Sequence, residues 1–300
     1  MIATKREVLL PVQRVTTARL ITQIPALKWI LLVIPLAYIL ILMVWPMLGL
    51  FKLSILDENG FTMQYFLRIF STPVYLDVLW LTLKTALLVM IFTLMLSYPV
   101  AYLLVRIESA KWKKVILGAV LIPFWINLLV RTFAWTILLQ DQGVINTFLM
   151  QLGMIDEPLS LLYNTTGVTI GMTHVLLPYM VLSLYSVMDG IDQRLLQAAQ
   201  GMGARPWKAF IQVFFPLSLP GVLSGSLLVF ILGIGYFITP ALLGGSKNMM
   251  ISMLIQDNVN TTLNWHMASA IAIVLFIVTL LLLFLSVLLI RNNPVLKEMK

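Results

Sequence analysis

Few residues in this chain of 300 are equipped to do chemistry, and their placement narrows what that chemistry is. Cysteine is absent, which excludes disulfides and thiolate-bound metals. The histidines are His174 and His266, too few for a His-based metal cluster and read as structural or interfacial. Two cations, Lys84 and Arg131, fall inside long apolar stretches. Arg131 lies between Trp125 and Trp135, and Tyr236 sits in another apolar run. Aromatic faces such as Trp135 and Tyr236 suit a cationic solute, whereas Arg131 would repel one. A second group lies in one polar stretch, DGIDQRLLQAAQGMGARPWKAFIQVFFP (189–216), where Gln197, Ala198, Ala199, Gly203, Arg205, Val213 and Pro216 stand out by type and spacing. Small residues there allow close approach to another surface, and a glycine allows a turn. That is recognition chemistry, and no catalytic residue is assigned.

The elements that must hold these residues follow from composition. Hydrophobic residues make up 60% of the chain and charged ones 11%, against about 25% charged in a soluble domain. Mean hydropathy is +0.98. So much apolar surface has no hiding place in water, and the chain is expected to be an integral membrane protein. Apolar stretches long enough to cross a bilayer as helices occur at 29–51, 78–105, 115–139, 167–188, 217–239 and 268–290. Helices satisfy their own backbone in lipid, and no barrel-like alternation is present. The reading is an all-α polytopic fold of six transmembrane helices, with an irregular PALLGGS segment after the fifth.

Charge sets the orientation. Lys5, Arg6, Arg14, Arg19 and Lys28 precede the first span, and Arg106, Lys111, Lys113 and Lys114 follow the second. Arg194, Arg205 and Lys208 follow the fourth, and Arg291, Lys297 and Lys300 end the chain. The opposite loops hold only Lys52, Arg68 and Lys247 among basic residues. Both termini are therefore expected in the cytoplasm. The formal charge of +8 is explained by topology rather than by nucleic acid. The N-terminal segment is not expected to be a cleaved signal, because its apolar run starts late and is too long.

An intramembrane charge costs at least ~2.5 kcal/mol at the bilayer centre, so Arg131 and Lys84 need reasons to be there. Arg131 could line a path, pair with another subunit, or cap carbonyls of a broken helix. Trp125, Arg131, Trp135 and Tyr236 are the candidate path residues. No Asp or Glu lies within any of the six stretches. That argues against a proton-coupled carrier, which needs a carboxylate or His relay. Nothing identifies a channel filter either. GGSKN at 244–248 lacks the spacing of a phosphate loop, and GMGA at 201–204 lacks that of a dinucleotide turn.

The polar stretch 189–216 reads as helix, glycine turn, helix outside the bilayer. Asp192 is a plausible N-cap for a short helix through Leu195, Leu196, Ala198, Ala199 and Met202. Gly203 suits the left-handed residue that ends it, and Pro206 suits the first turn of the next. Trp207, Phe210, Ile211 and Phe214 then form an apolar stripe. On pattern alone, an amphipathic linker resting on the membrane surface would read similarly.

Gln197-Ala198-Ala199, three residues, Gly203, nine residues and Val213-Phe214-Phe215-Pro216 resembles the EAA loop of binding-protein-dependent ABC importer permeases. Gln stands where that pattern has Glu, and Val and Phe where it has Ile and Leu. LIPFWINLLVRTFAW (121–135), PLSLLYNTTGV (158–168), GMTHVLLPYMVLSLY (171–185), PLSLPGVLSG (216–225) and FITPALLGG (237–245) resemble the spermidine/putrescine permease branch. The resemblance implies a type I ABC importer permease fold, with the permease domain at 75–290. Residues 1–74 add a cytoplasmic segment, the first helix and a periplasmic loop, and 291–300 form a cytoplasmic tail. It implies a bacterial inner-membrane location and import of polyamines, or of another small solute such as an iron complex, thiamine or an opine. Implied partners are a second permease in a heterodimer, two ATPase subunits and a periplasmic binding protein. ATP and Mg²⁺ would be used by the ATPase, with no cofactor on this chain. The EAA segment would be a short coupling helix seated in a groove of the ATPase. Gln197 cannot make the charged pair that the family's glutamate commonly makes, and a neutral hydrogen bond of about 0.5–1.5 kcal/mol would stand in.

Overall fold

The computed structural model describes residues 25–58, 60–245 and 248–292, so the basic N-terminal segment, the end of the tail and Lys247 lie outside the described residues. The chain divides into two compact units, the first ending at Lys52 and the second beginning at Leu53. Helix α1, Pro25–Ile55, makes up most of the described part of the first and carries Pro35 and Pro46 within it.

In the second unit a two-residue antiparallel hairpin, β1 Leu56–Asp57 with β2 Gly60–Phe61, leads to α2, Gln64–Ser71. The helices that follow are α3 Pro73–Arg106, α4 Ala110–Trp125, α5 Leu128–Leu139, α6 Val144–Gln151 and α7 Thr165–Met188. Then come α8 Arg194–Gly201, α9 Pro206–Ala209, a π-turn at Phe210–Phe214, α10 Phe215–Ile234, α11 Ile238–Leu243, α12 Ile251–Asn260 and α13 Trp265–Asn292. Among the described residues, five helical runs are long and apolar enough to span a bilayer, and α4 with α5–α6 makes a sixth if the bent pair is one span. The fold is all-α and polytopic.

The centre is α7, packed between α3 and α10. Its most apolar 18-residue window is 67% buried, more than that of any other described span. Met172, Leu176, Met180, Leu184 and Met188 form its core ridge, against Val89 and Ala101 of α3 and Val229 of α10. Small residues allow the close approach, as is usual where lipid supplies no hydrophobic drive between helices. A Cβ placed at Gly225 would lie 2.6 Å from Met180 Sδ, and one at Gly233 would lie 3.3 Å from Ala86 Cβ. Between α6 and α7 the chain is pinned by buried Asn146, whose amide donates to Gln140 O and Leu159 O and accepts from Leu159 N–H.

Two expectations need correction. The stretch 115–139 is not one helix: α4 stops at Trp125 and α5 starts at Leu128, and the pair bends by 100°. Asn127 makes the break, its Oδ1 accepting the Leu129 N–H at 2.9 Å and starting a new helix with an N-cap. Nor does the fifth span begin after Pro216. Helix runs unbroken from Pro206 to Ile234, so residues 206–216 of the polar stretch are its first turns and not a separate helix. Proline at 216 does not break it because the turn before it is wide. Phe215 N–H bonds Phe210 O, an i to i−5 contact that loosens the turn where the ring would clash. At about 1.5 Å per residue that run exceeds a hydrocarbon core of roughly 30 Å, so it also projects beyond it. The fifth span closes at Ile234 rather than 239, and part of the PALLGGS region is helical, as α11.

Candidate functional site

Two places collect the singled-out residues. The first is the stretch from Asp189 to Pro216. Asp192 Oδ1 accepts Arg194 N–H at 2.9 Å as α8 begins, one residue earlier than an ideal cap. At the other end Ala204 N–H bonds Ala199 O at 3.1 Å and Gly203 N–H bonds Gln200 O at 2.9 Å. Those bonds are a Schellman stop, and Gly203 supplies the left-handed residue it needs, with φ +91°. The next helix starts at Pro206 from an extended Arg205, so Gly203 and Pro206 act as the spacing predicts.

Helix α8 has two unlike faces. Leu196 and Ala199 are buried, Leu196 within the central core cluster. Gln197 and Ala198 are exposed, and so are Leu195 and Met202 on that side. The Ala198-Ala199 pair therefore divides, one methyl serving the fold and the other available to a partner. Below α8, an aromatic cluster joins the start of the 206–234 helix to the end of α3. Tyr102 meets Phe210 and Phe214 edge-on at 5.1 and 5.0 Å, and Phe210 stacks on Phe214. Tyr98 Oη pairs with Ser218 Oγ at 2.8 Å. Lys113 of α4 bridges to Asp189 at 3.1 Å and lies over the Tyr185 ring, so the end of α7 is held as well. Val213 and Pro216 are half-buried in this junction, and Arg205 is exposed.

The second place is a pair of cavities along α7. One, of about 500 Å³, is lined by Trp125, Asn127, Arg131, Tyr179 and Tyr236, so three of the four candidate path residues meet there. Arg131 Nη1 donates to Pro123 O at 2.7 Å, across the break between α4 and α5. The carbonyl-capping role is therefore realised. Arg131 Nε is buried without a partner. Trp125, at the break itself, is 90% exposed.

The other cavity, of about 670 Å³, takes Trp135 together with Lys84, Phe92, Thr169, Thr173 and His174. Trp135 Nε1 donates to His174 Nδ1 at 3.1 Å, so that nitrogen carries no proton and His174 is not a lone ring. A wall of α7 presents Thr165, Thr169 and Thr173 at steps of four, a spacing legible in TTGVTIGMT but not read from it. Thr165 Oγ1 gives its proton to Asn248 Oδ1 and Thr169 Oγ1 gives its own to Thr165 O, which leaves their oxygens as acceptors. Thr173 Oγ1 is buried with no partner. The surface offers acceptors and aromatic faces, yet its one charged group is a cation.

No protein-family model matches the chain. The spermidine/putrescine transport system permease protein PotB of Haemophilus influenzae is 33% identical over 246 residues, covering 80% of this chain and 85% of that protein. PotB of Escherichia coli is 36% identical over 223 residues, 74% of this chain and 80% of its own length. The Escherichia coli inner membrane ABC transporter permease protein YdcU is 32% identical over 73% of this chain and 74% of its own. Among solved structures, a bacterial ABC transporter that imports the acidic polysaccharide alginate matches with a TM-score of 0.73 at 17% identity, over 92% of this chain and 99% of that one. The methionine ABC transporter MetNI matches at 0.57 and 19% identity, over 73% of this chain and 96% of that one. The alginate and methionine transporters share the fold, and relatives above 30% identity over about three quarters of the chain carry more: this protein belongs to the ABC importer permeases, in the spermidine/putrescine permease branch.

Proposed function

We propose that the chain is one of two unlike permease subunits of an ATP-driven polyamine importer in a bacterial inner membrane, with both termini cytoplasmic. Identity of 36% to a spermidine/putrescine permease over most of both chains is the observation that carries the substrate. A periplasmic binding protein delivers the polyamine, and two ATPase subunits bind and hydrolyse ATP with Mg²⁺; this subunit is not itself an enzyme. Helix α8 is the coupling helix. Its exposed face of Leu195, Ala198 and Met202 with Gln197 enters an ATPase groove, and its buried face transmits displacement to α3, α7 and the 206–234 helix. Gln197 offers a neutral hydrogen bond to the groove, contributing about 0.5–1.5 kcal/mol. The two cavities along α7 belong to the path, where Trp135 and Tyr236 give cation-binding faces and the threonine oxygens accept ammonium protons.

Lys84 favours a second reading, import of another small solute that is not a polycation. Reconstitution decides between them. The chain with its second permease, ATPase and binding protein in liposomes is expected to take up labelled spermidine only with internal ATP. Uptake by the chain alone would overturn the importer reading. ATP-driven uptake of thiamine or an iron complex, but not spermidine, would favour the second.

A further inference from the structure

Both membrane-embedded cations line cavities, Lys84 on α3 and Arg131 on α5, and neither makes an ion pair among the described residues. The nearest acid along α3 is Asp77, two turns before Lys84 and not bonded to it. Lys113–Asp189 is the ion pair found among the described residues, and it lies at the far end of α3 and α7. An unpaired charge inside a span is expensive, and it either faces a water-filled cavity or pairs with another group; Lys84 is exposed toward its cavity and Arg131 is half-buried. A second copy of this chain would add two more cations and no carboxylate within the six apolar stretches. Arg131 also has a buried Nε with no partner, while one Nη is committed to Pro123 O. Around it, Trp125 is 90% exposed, and Ile126, Leu129, Val130 and Phe133 are exposed apolar groups.

We infer that Lys84 and Arg131 are neutralised by membrane-embedded carboxylates of the second permease, so that this chain is the cation-bearing half of a heteromeric pair. The inference rests on the permease reading above and adds the chemistry of the missing subunit. Charge complementarity then excludes self-pairing, because like charges would face each other in a low dielectric.

The natural absence of cysteine makes the test direct. The whole transporter is expressed with Lys84→Cys or Arg131→Cys, against single cysteines replacing each Asp or Glu within the spans of a cysteine-free second permease. At least one pair is expected to give a heteromeric crosslink with a short bifunctional thiol reagent, since salt-bridged residues can stand farther apart than a disulfide spans. Lys84→Glu is expected to lower spermidine uptake by about tenfold or more, and reversing the crosslinking carboxylate to Lys is expected to restore most of it. Arg131→Met could also fail by releasing Pro123 O, so Lys84→Met is the deciding neutral variant; it should reduce recovery of the second permease with this chain. An active homodimer of this chain, a second permease without carboxylates in its spans, or wild-type pairing and uptake in Lys84→Met would each overturn the inference. So would a Lys84→Met complex that pairs normally but loses uptake of an anionic solute. In each case ATPase recovery with the wild-type chain reports on the permease reading separately.

Discussion

Leu196 and Ala198 stand two residues apart on α8 and face opposite ways, Leu196 2% exposed within the core and Ala198 on the open side. One short helix thus carries a structural face and a free face, and substitutions one residue apart should separate them. Ala198→Asp is expected to leave the amount of folded subunit unchanged while abolishing ATPase recovery and uptake. Ala199→Asp places an unpaired charge in the core, which costs several kcal/mol, and should lower the folded subunit itself. Copurification and detergent-solubilised yield, measured side by side, check both. Equal behaviour of the two variants would remove the reason for calling α8 a docking helix.

Gly203 tests the turn without confounding bulk inside the subunit. A Cβ there meets nothing within 4 Å in this chain, so the strain within the subunit comes from backbone conformation at φ +91°, and any added bulk is felt only by the ATPase. Gly203→Val should cost on the order of 1–2 kcal/mol locally and impair ATPase docking or uncouple hydrolysis from transport. Gly203→Asn, which tolerates the left-handed region better, should retain most function. ATPase activity measured against uptake for both variants is the readout. Wild-type coupling in the valine variant would refute the role given to this turn.

Arg131→Ala leaves Pro123 O without its 2.7 Å donor and the break between α4 and α5 without its clamp. A half-buried carbonyl left without its donor costs up to about 1–3 kcal/mol, so the assembled complex should fall in amount and melt earlier. Size-exclusion yield and a thermal-aggregation midpoint measure this. Normal yield with altered substrate preference would instead make Arg131 a path residue first.

Thr173 poses the opposite case, a buried hydroxyl with no partner in a cavity wall. Thr173→Val removes that polar burden, of about 1–3 kcal/mol, and should raise thermal stability. If the hydroxyl meets substrate, uptake should fall in the same variant. A variant that gains stability and keeps full uptake would show the hydroxyl idle.

Orientation is checked by impermeant thiol reagents on single cysteines. Ser109→Cys and Ala204→Cys should label only from the cytoplasmic side, and Gln151→Cys only from outside. Labelling of Ala204→Cys in intact cells would reverse the topology.

The sequence carried the spans and the turn, because apolar length, Gly203 and Pro206 act locally and each has one physical consequence. It did not carry the break at residues 126–127, since Asn127 within an apolar run reads as continuous until its side chain is seen capping Leu129. Pro216 misled for a related reason. A proline marks a helix boundary on average, yet here the i to i−5 bond of Phe215 absorbs it. At the path, Trp125, Arg131 and Tyr236 were chosen by residue type and do share a cavity. Trp135 lines the neighbouring one, because it stands a full turn beyond Arg131 on the same face of α5 and meets His174 there. His174 looked solitary for want of any sequence rule that pairs it with Trp135 across 39 positions.

The wide turn at Phe210–Phe214 has a mechanical consequence. A helix broken at Pro216 would be hinged at the membrane surface, and a push on its outer end would be lost as bending. Because the backbone stays helical from Pro206 through Ile234, the outer turns and the buried residues of α10 belong to one continuous helix. The aromatic contact of Tyr102 with Phe210 and Phe214 ties the first turns of that helix to α3. A displacement of those turns would be shared with α7 and α3, on which Gly225 and Gly233 pack tightly, rather than absorbed at a joint.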